Sequence, residues 1–329
     1  MGSIGNANGA ANGSGTPSKA FATLLTKKSY LAGALVLHQS LVENKSAYPL
    51  VVFATKELPQ DARDILGRRG IHVREIEYLQ PPPDKQANLD EHDLRFQDTW
   101  TKLRVFEMAE YDRLVLLDSD MLCLRNMDEL LEMPLDEGWI AATHACTCNP
   151  RKLSHYPSDW VPENCGHTQA KLTTPLAASD FSRPTHDRLN SGAVVLRPSK
   201  ATFDGIVSFL HTDERVPTYK FPDQDLLADY FKDKFLPISY RYNALKTLRY
   251  CHAPMWRDED VKNVHYILKK PWYYQLPAGD PDYETHSWYV RVGSWWDAYS
   301  RLQASWDHES DWDVIEATVN RAERRPDQA

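Results

Sequence analysis

The feature that most constrains the fold is a junction. Arg113-Leu114-Val115-Leu116-Leu117 runs straight into Asp118-Ser119-Asp120. Four consecutive aliphatic residues bounded by charges predict a strongly buried strand. In open, largely parallel sheets, ligands bind beyond the carboxyl ends of strands, so the junction puts two carboxylates where a ligand belongs. Hard divalent cations take oxygen ligands. A cation on a nucleoside diphosphate stabilises the charge that grows when a sugar leaves it. An Asp-x-Asp by itself occurs on many loops. Its place directly after a buried run is what gives this one weight.

The pattern before the junction supports a parallel sheet. Ala20 to Thr26 reads as a buried strand, and Pro49 to Thr55 and Ile71 to Ile76 as two more. The first interval carries Leu31, Leu35, Leu41 and Val42 near helical spacing, with Ser29 as the expected cap. The second carries a helix over Asp61 to Arg69, stopped by Gly70. Alternating strands and helices imply parallel crossover units. Asp98 to Tyr111 predicts a helix, with Trp100, Leu103 and Phe106 on one side. Beyond the junction, residues 145–188 are irregular and hold three of the five cysteines. They read as an insertion, a lid or acceptor-facing loop. A strand over Leu189 to Leu196, helices near 200–213 and 223–233, and a short strand over Val261 to Ile267 follow. Trp295, Tyr299, Leu302 and Trp306 keep helical spacing and predict a docking helix. The expected organisation is a flexible lead over 1–18, one catalytic domain over 19–290 and a helical tail over 291–329.

Composition excludes several classes. The 329 residues carry a formal net charge of -8 with no basic run, which argues against nucleic-acid binding. No stretch approaches the ~20 apolar residues a membrane span needs. The first residues lack the charged and apolar regions of a secretory signal. An odd cysteine count without such a signal implies reduced thiols and a cytoplasmic protein. Cys146-Thr147-Cys148 and Cys165, with His144, His155 and His167 nearby, raise zinc. The spacing lacks the usual Cys-x2-Cys pair and argues against it.

Further candidates flank the junction residues. Val264-His265-Tyr266 offers an imidazole at a strand end, a good third ligand for a manganese-like ion, although a lone His is more often a packed residue. Lys269-Lys270-Pro271-Trp272 follows it and reads as a diphosphate clamp or as a solvated basic turn. Leu189-Asn190-Ser191-Gly192 reads as a small polar turn that lets backbone and amide groups approach a ligand, or as an ordinary turn. Pro222-Asp223-Gln224-Asp225 opens a helix. Asp223 there is either an N-cap or, with Gln224, a partner for sugar hydroxyls. Lys102 alone reads as a surface lysine.

Taken in order, these segments resemble glycosyltransferase family 8, the retaining GT-A family of glycogenin and galactinol synthase. The resemblance runs from Phe21 to Trp272. It is carried by Phe21 to Thr26 with Tyr30 and Gly33-Ala34-Leu35, Thr101-Lys102-Leu103-Arg104, Leu116 to Asp120, Leu189 to Gly192, Asp223 to Leu227, and Val264-His265-Tyr266 with Lys270-Pro271-Trp272. Ser46 to Val52, Val73 to Glu77, the Cys-x-Cys and Trp295-Trp296-Asp297 look nearer the galactinol synthase branch. The family usually has Gly between the His and the Lys-Pro-Trp; here Tyr266-Ile267-Leu268-Lys269 has none.

The resemblance implies an α/β fold of GT-A type, with a Rossmann-like, mixed but mostly parallel central sheet flanked by helices. It implies Mn2+, with Mg2+ as the alternative, on Asp118, Asp120 and His265. Leu24, Thr26 and Tyr30 would line a uridine pocket, and Lys102, Ser119, Asn190 and Lys270 would contact the rest of the donor. Asp223, Gln224 and Lys270 would act at the reacting sugar and the leaving diphosphate. The expected activity is retaining transfer of a hexose from UDP-galactose or UDP-glucose to a hydroxyl acceptor: a polyol, a glycan or a protein. UDP-N-acetylglucosamine as donor, self-glucosylation and a homodimer stay open. A sugar-phosphate nucleotidyltransferase would carry a Gly-rich loop where Thr26-Lys27-Lys28-Ser29 stands. A non-catalytic sugar-nucleotide binder would not need an intact Asp118, Asp120 and His265.

Overall fold

A computed structural model describes residues 18–86, 98–154, 156–169, 183–268, 270–273 and 295–319. The elements in chain order are β1 (Lys19–Leu25), α1 (Leu31–Glu43), β2 (Leu50–Ala54), α2 (Gln60–Arg68), β3 (His72–Glu75), β4 (Arg113–Leu117), β5 (Met121–Cys123), α3 (Glu129–Glu132), β6 (Ile140–His144), α4 (Gly166–Gln169), β7 (Leu189–Leu196), α5 (Lys200–Thr212), α6 (Pro222–Tyr230), β8 (Phe235–Pro237), β9 (Ala244–Leu245), α7 (Leu248–Cys251), β10 (Asn263–His265), α8 (Trp295–Ala304) and α9 (Glu309–Glu316).

Seven strands form one sheet in the order β3-β2-β1-β4-β7-β6-β8. All its pairs are parallel except the two that β7 makes, with β4 and with β6. The expected mixed, mostly parallel α/β sheet is therefore present, with its reversal at β7. The pleat decides which core each residue of β4 enters. Leu114 and Leu116 pack with Leu103, Phe106 and Leu226 on one face, while Val115 and Leu117 meet Leu37, Leu41 and Met127 on the other. Burying such a side chain is worth about 1.5–3 kcal/mol, so no register shift can turn β4 toward water cheaply.

A small second sheet, β5-β10-β9, sits at the mouth of the first. β5 begins immediately after Asp120, and its antiparallel register sets His265 opposite Met121. α8 and α9 pack against the body. Trp295 stacks on Tyr299 at 5.1 Å and lies against Trp272, and these rings join the core of α1 and α2. Arg68 donates twice to Asp311, at 2.7 and 2.6 Å, fastening α9 to α2.

Several expectations needed correction. The helix expected over Asp98 to Tyr111 is shorter and of 3-10 type, over residues 99–107. Ser29 caps nothing: the residue before α1 is Tyr30, and no side chain bonds the free N–H groups there. A preceding single 3-10 turn, Lys28–Tyr30, leads the chain in instead. Gly70 does end α2, at φ +76, a left-handed conformation that glycine adopts without strain.

His38 lies on α1 and is largely buried. Burial, with the Arg69 charge adding, lowers its imidazole to about 4. The folded chain thus refuses a proton that the unfolded chain accepts near pH 6.5, so stability falls as pH drops from 6.5 toward 4. The loss from this residue should reach about 3 kcal/mol. In urea melts, His38→Leu should flatten that acid limb while leaving stability above pH 7 little changed; an unaltered slope would show that other groups set it.

Candidate active site

The junction turns β4 of the large sheet into β5 of the small one, and Asp118-Ser119-Asp120 occupies the corner. The two carboxylates and the His265 imidazole each present one ligand atom, and these atoms all lie within 4.8 Å of one another. His265 Nε2 stands 3.6 Å from Asp118 Oδ2 and 3.3 Å from Asp120 Oδ1. Backbone bonds fix the corner: Asp118 N–H donates to Gly192 O at 2.8 Å and Tyr266 N–H to Asp120 O at 2.9 Å.

Two lysines complete the ring of charge. Lys102 Nζ lies 2.6 Å from Asp118 Oδ1 and 3.3 Å from Asp223 Oδ2. The second contact lacks hydrogen-bond alignment, so Asp223 Oδ2 keeps an unfilled acceptor. Lys270 Nζ contacts Asp120 Oδ2 directly. Their side chains are only 15% and 17% exposed, which overturns both the surface-lysine and the solvated-turn readings. Burial alone would push the Asp120 carboxyl up; the Lys270 charge, with His265 beside it, outweighs burial and holds it well below the usual carboxylate range. Burial alone would draw the Lys102 ammonium down, and Asp118 and Asp223 outweigh that and raise it.

Asn243, which the sequence reading missed, orients the imidazole. Its Nδ2 donates to Asn190 Oδ1 at 2.7 Å and to Thr143 Oγ1 at 3.2 Å. Its Oδ1 therefore faces His265 Nδ1, 2.8 Å away. That carbonyl needs a donor, so the ring carries a proton on Nδ1 and turns Nε2 toward the two aspartates. Asn190 passes the network on: its Oδ1 also accepts from Gly192 N–H at 3.1 Å, and its Nδ2 donates to Gln224 Oε1 at 3.0 Å. Asn190 sits inside β7, within register of β6, and not in the turn expected. Nothing in the sequence around Asn243 signals this role, because its partners are 22 to 100 residues away.

The other expected residues sort as follows. Asp223 and Gln224 lie buried in the first turn of α6, whose N-cap is Phe221, so Asp223 is no cap. Asp225 turns to the opposite face, accepting from Lys220 and Phe221 N–H, and lines a separate cleft of about 510 Å³ with Trp160 and Tyr219. Leu24 and Thr26, half-buried, stand at the carboxyl end of β1. Tyr30 meets the edge of Trp272 at 5.3 Å. Ser119 is buried beneath Gly33. Lys269 lies outside the described residues. The loop that lacks the family's glycine still makes a left-handed step, at Leu268 with φ +67, a conformation that costs an L side chain roughly 1–2 kcal/mol.

This corner defines a class. A GT-A sheet ends in paired carboxylates and an imidazole, flanked by buried lysines and amides, as in glycosyltransferases that use nucleotide-sugar donors. The model of glycosyl transferase family 8 matches residues 22–275. The chain is 30% identical to galactinol synthase 7 of Arabidopsis thaliana over 304 residues, covering 92% of this chain and 87% of that protein. It is 32% identical to galactinol synthase 1 of Solanum lycopersicum over 291 residues, covering 88% and 83%. In fold it is similar to the galactosyltransferase LgtC solved with donor and acceptor sugar analogs, with TM-score 0.56 at 17% identity over 89% of this chain and 99% of that one. It is also similar to the bifunctional glycosyltransferase WbbM, with TM-score 0.58 at 16% identity; this chain spans 53% of WbbM. The chain belongs to glycosyltransferase family 8, on its galactinol synthase side, and is a hexosyltransferase of that family.

Two glycines permit the corner. A Cβ on Gly192 would stand 2.4 Å from His265 Cε1, and one on Gly33 would stand 2.6 Å from Ser119 O. On Gly67, within α2, it would meet nothing. Gly192→Ala should therefore lower stability by about 1–3 kcal/mol through overpacking, whereas Gly67→Ala should raise it by about 0.5–1 kcal/mol through helix propensity. Paired thermal melts would decide; equal shifts in the two variants would contradict this packing.

Proposed function

We propose that the chain transfers a hexose, galactose or glucose, from a UDP-sugar to a hydroxyl acceptor with retention of configuration, using Mn2+ held by Asp118, Asp120 and His265. The observation that carries this reading is the convergence of two carboxylate oxygens and an imidazole nitrogen within 4.8 Å, at the end of a buried strand. Two hard oxygens and one nitrogen suit Mn2+, and Mg2+ less well. When bound there, the cation supplies charge against the leaving diphosphate.

The protein's own groups do the rest. Three acids, Asp118, Asp120 and Asp223, face two lysines, so the protein alone leaves the corner net negative and unattractive to a diphosphate. A dication reverses that sign, which makes donor binding conditional on the metal. Lys102 and Lys270, held by the carboxylates, stand next to where phosphate oxygens would lie and can shift their bonds onto them. Leu24, Thr26 and Tyr30 would form the uridine end, with Ser119 under the ribose and phosphate. Asn190 and Gln224 would hold sugar hydroxyls. Asp223, with its unfilled oxygen, would face the anomeric carbon and stabilise its growing positive charge. The diphosphate oxygen held by Lys270 would take the acceptor proton. The names of the relatives favour formation of galactinol as the particular reaction. Tyr156 and Trp160 of the insertion pack on Phe221, two residues before Asp223.

A panel of UDP-sugars with Mn2+, Mg2+ or EDTA, with and without myo-inositol, tests the reading. Turnover of UDP-galactose or UDP-glucose should require the dication, rise with the acceptor and fall at least 100-fold in Asp118→Ala with the melting temperature retained. Full turnover in EDTA, or in that variant, would sink the assignment. Asn243→Ala should weaken apparent Mn2+ affinity about 10–100-fold, because the imidazole loses its anchor. Excess Mn2+ should restore much of the rate; an unchanged Mn2+ titration would remove Asn243 from the site.

A further inference from the structure

A second cluster of ligating side chains lies outside the corner just described. The sulfurs of Cys146, Cys148 and Cys165 stand 3.7, 3.2 and 3.4 Å from Nε2 of His252, and all four atoms lie within 4.8 Å of one another. Cys148, Cys165 and His252 are buried and Cys146 is half-buried. No disulfide joins them. Hydrogen bonding does not account for the grouping, since one imidazole nitrogen can serve one thiol along its lone-pair direction, and thiols bond weakly. Three sulfurs crowded about one nitrogen share a common centre. A tetrahedral zinc with Zn–S of about 2.3 Å and Zn–N of about 2.05 Å spans S···N edges of about 3.6 Å, which the three observed distances bracket.

We propose that Cys146, Cys148, Cys165 and His252 form a structural zinc site. Three soft sulfurs and one imidazole, with no carboxylate among them, select zinc over the hard cation suited to Asp118 and Asp120. Four protein ligands close the coordination sphere, as in structural and not catalytic sites. Of the histidines named from the sequence, His144 and His167 are not among the grouped ligands. His167 bonds the carbonyl of His144 at 2.9 Å and packs against His252 with ring centres 5.6 Å apart, forming a layer around the site. His155 lies outside the described residues. The ligand that completes the set comes from the far end of α7, 87 residues beyond Cys165, which is why no local spacing revealed it.

The site has a structural consequence. Cys146 and Cys148 follow β6, Cys165 opens α4 in the insertion, and His252 ends α7 shortly after β9. The metal would thus tie together three segments that lie far apart in the sequence. Two of them bear on the active corner: Thr143 of β6 and Asn243 before β9 make the bond behind His265. Cys251 contacts Cys146 and Cys148 but is left out of the set.

Untagged full-length protein, purified without chelator, should contain one zinc per chain by plasma mass spectrometry, released stoichiometrically by a mercurial. Asp118→Ala and Cys251→Ser should keep it, and Cys165→Ser and His252→Ala should lose it. His252→Cys should retain the metal and preserve folding. Its Co2+-substituted form should show stronger thiolate-to-metal charge-transfer absorption than the Co2+-substituted parent. Removing the zinc should lower the melting temperature. Metal-free protein with all five thiols open to alkylation, a disulfide within the cluster, or iron in place of zinc would each overturn the proposal. So would zinc retained by His252→Ala and lost from Cys251→Ser.

Discussion

The structure depends on holding two carboxylates against each other at the end of a buried strand. With their ligand oxygens no more than 4.8 Å apart, their repulsion amounts to at least roughly 3 kcal/mol for an effective dielectric near 20, and Asp120 is only 3% exposed. Left alone, such a pair would splay or take up a proton. Lys102 and Lys270 prevent both by pairing one with each acid. Those lysines come from the 3-10 segment before β4 and from the loop after β10, so the electrostatics of the corner also hold the large sheet to the small one.

Around that pair the polar groups form one chain of bonds: Thr143, Asn243, His265 and, through Asn190, Gln224. A fully satisfied buried network is rigid, because losing any partner strands another in a low dielectric. The Asn243 carbonyl holds the Nδ1 side of His265 and so points Nε2 at the two aspartates. The apolar face beneath is equally tight: Gly33 and Gly192 leave no room for a methyl group beside Ser119, Trp272 and His265. Chemistry at the corner therefore rests on packing several layers deep, which the tail extends through Trp272 and Trp295.

Much of this was legible beforehand. β2 and β4 carry continuous apolar runs, and β1 and β7 do so apart from Thr23 and Asn190-Ser191, because strands buried on both faces have little polar side to show. α2 and α8 kept their periodicity, and Gly70 its stop. What escaped were short elements, β5, β8 and β9 among them, whose two to three residues carry no period to read. The 3-10 geometry of residues 99–107 escaped for a related reason: its apolar positions match a helix of either pitch over so short a span.

The sequence by itself determined the parts that depend on neighbours along the chain: the buried run, the two acids that follow it, and the order of segments that matches family 8. Those follow from local pattern, since strand burial and a strand-end position are properties of a few consecutive residues. Only the tertiary structure decided who meets whom. It brought Lys102 to Asp118, Asn243 to His265 and His252 to three cysteines, because those contacts are set by sheet order and loop closure between residues tens to more than a hundred positions apart. The β7 reversal and the register of β10 on β5 fixed them, and neither leaves a mark in the local sequence.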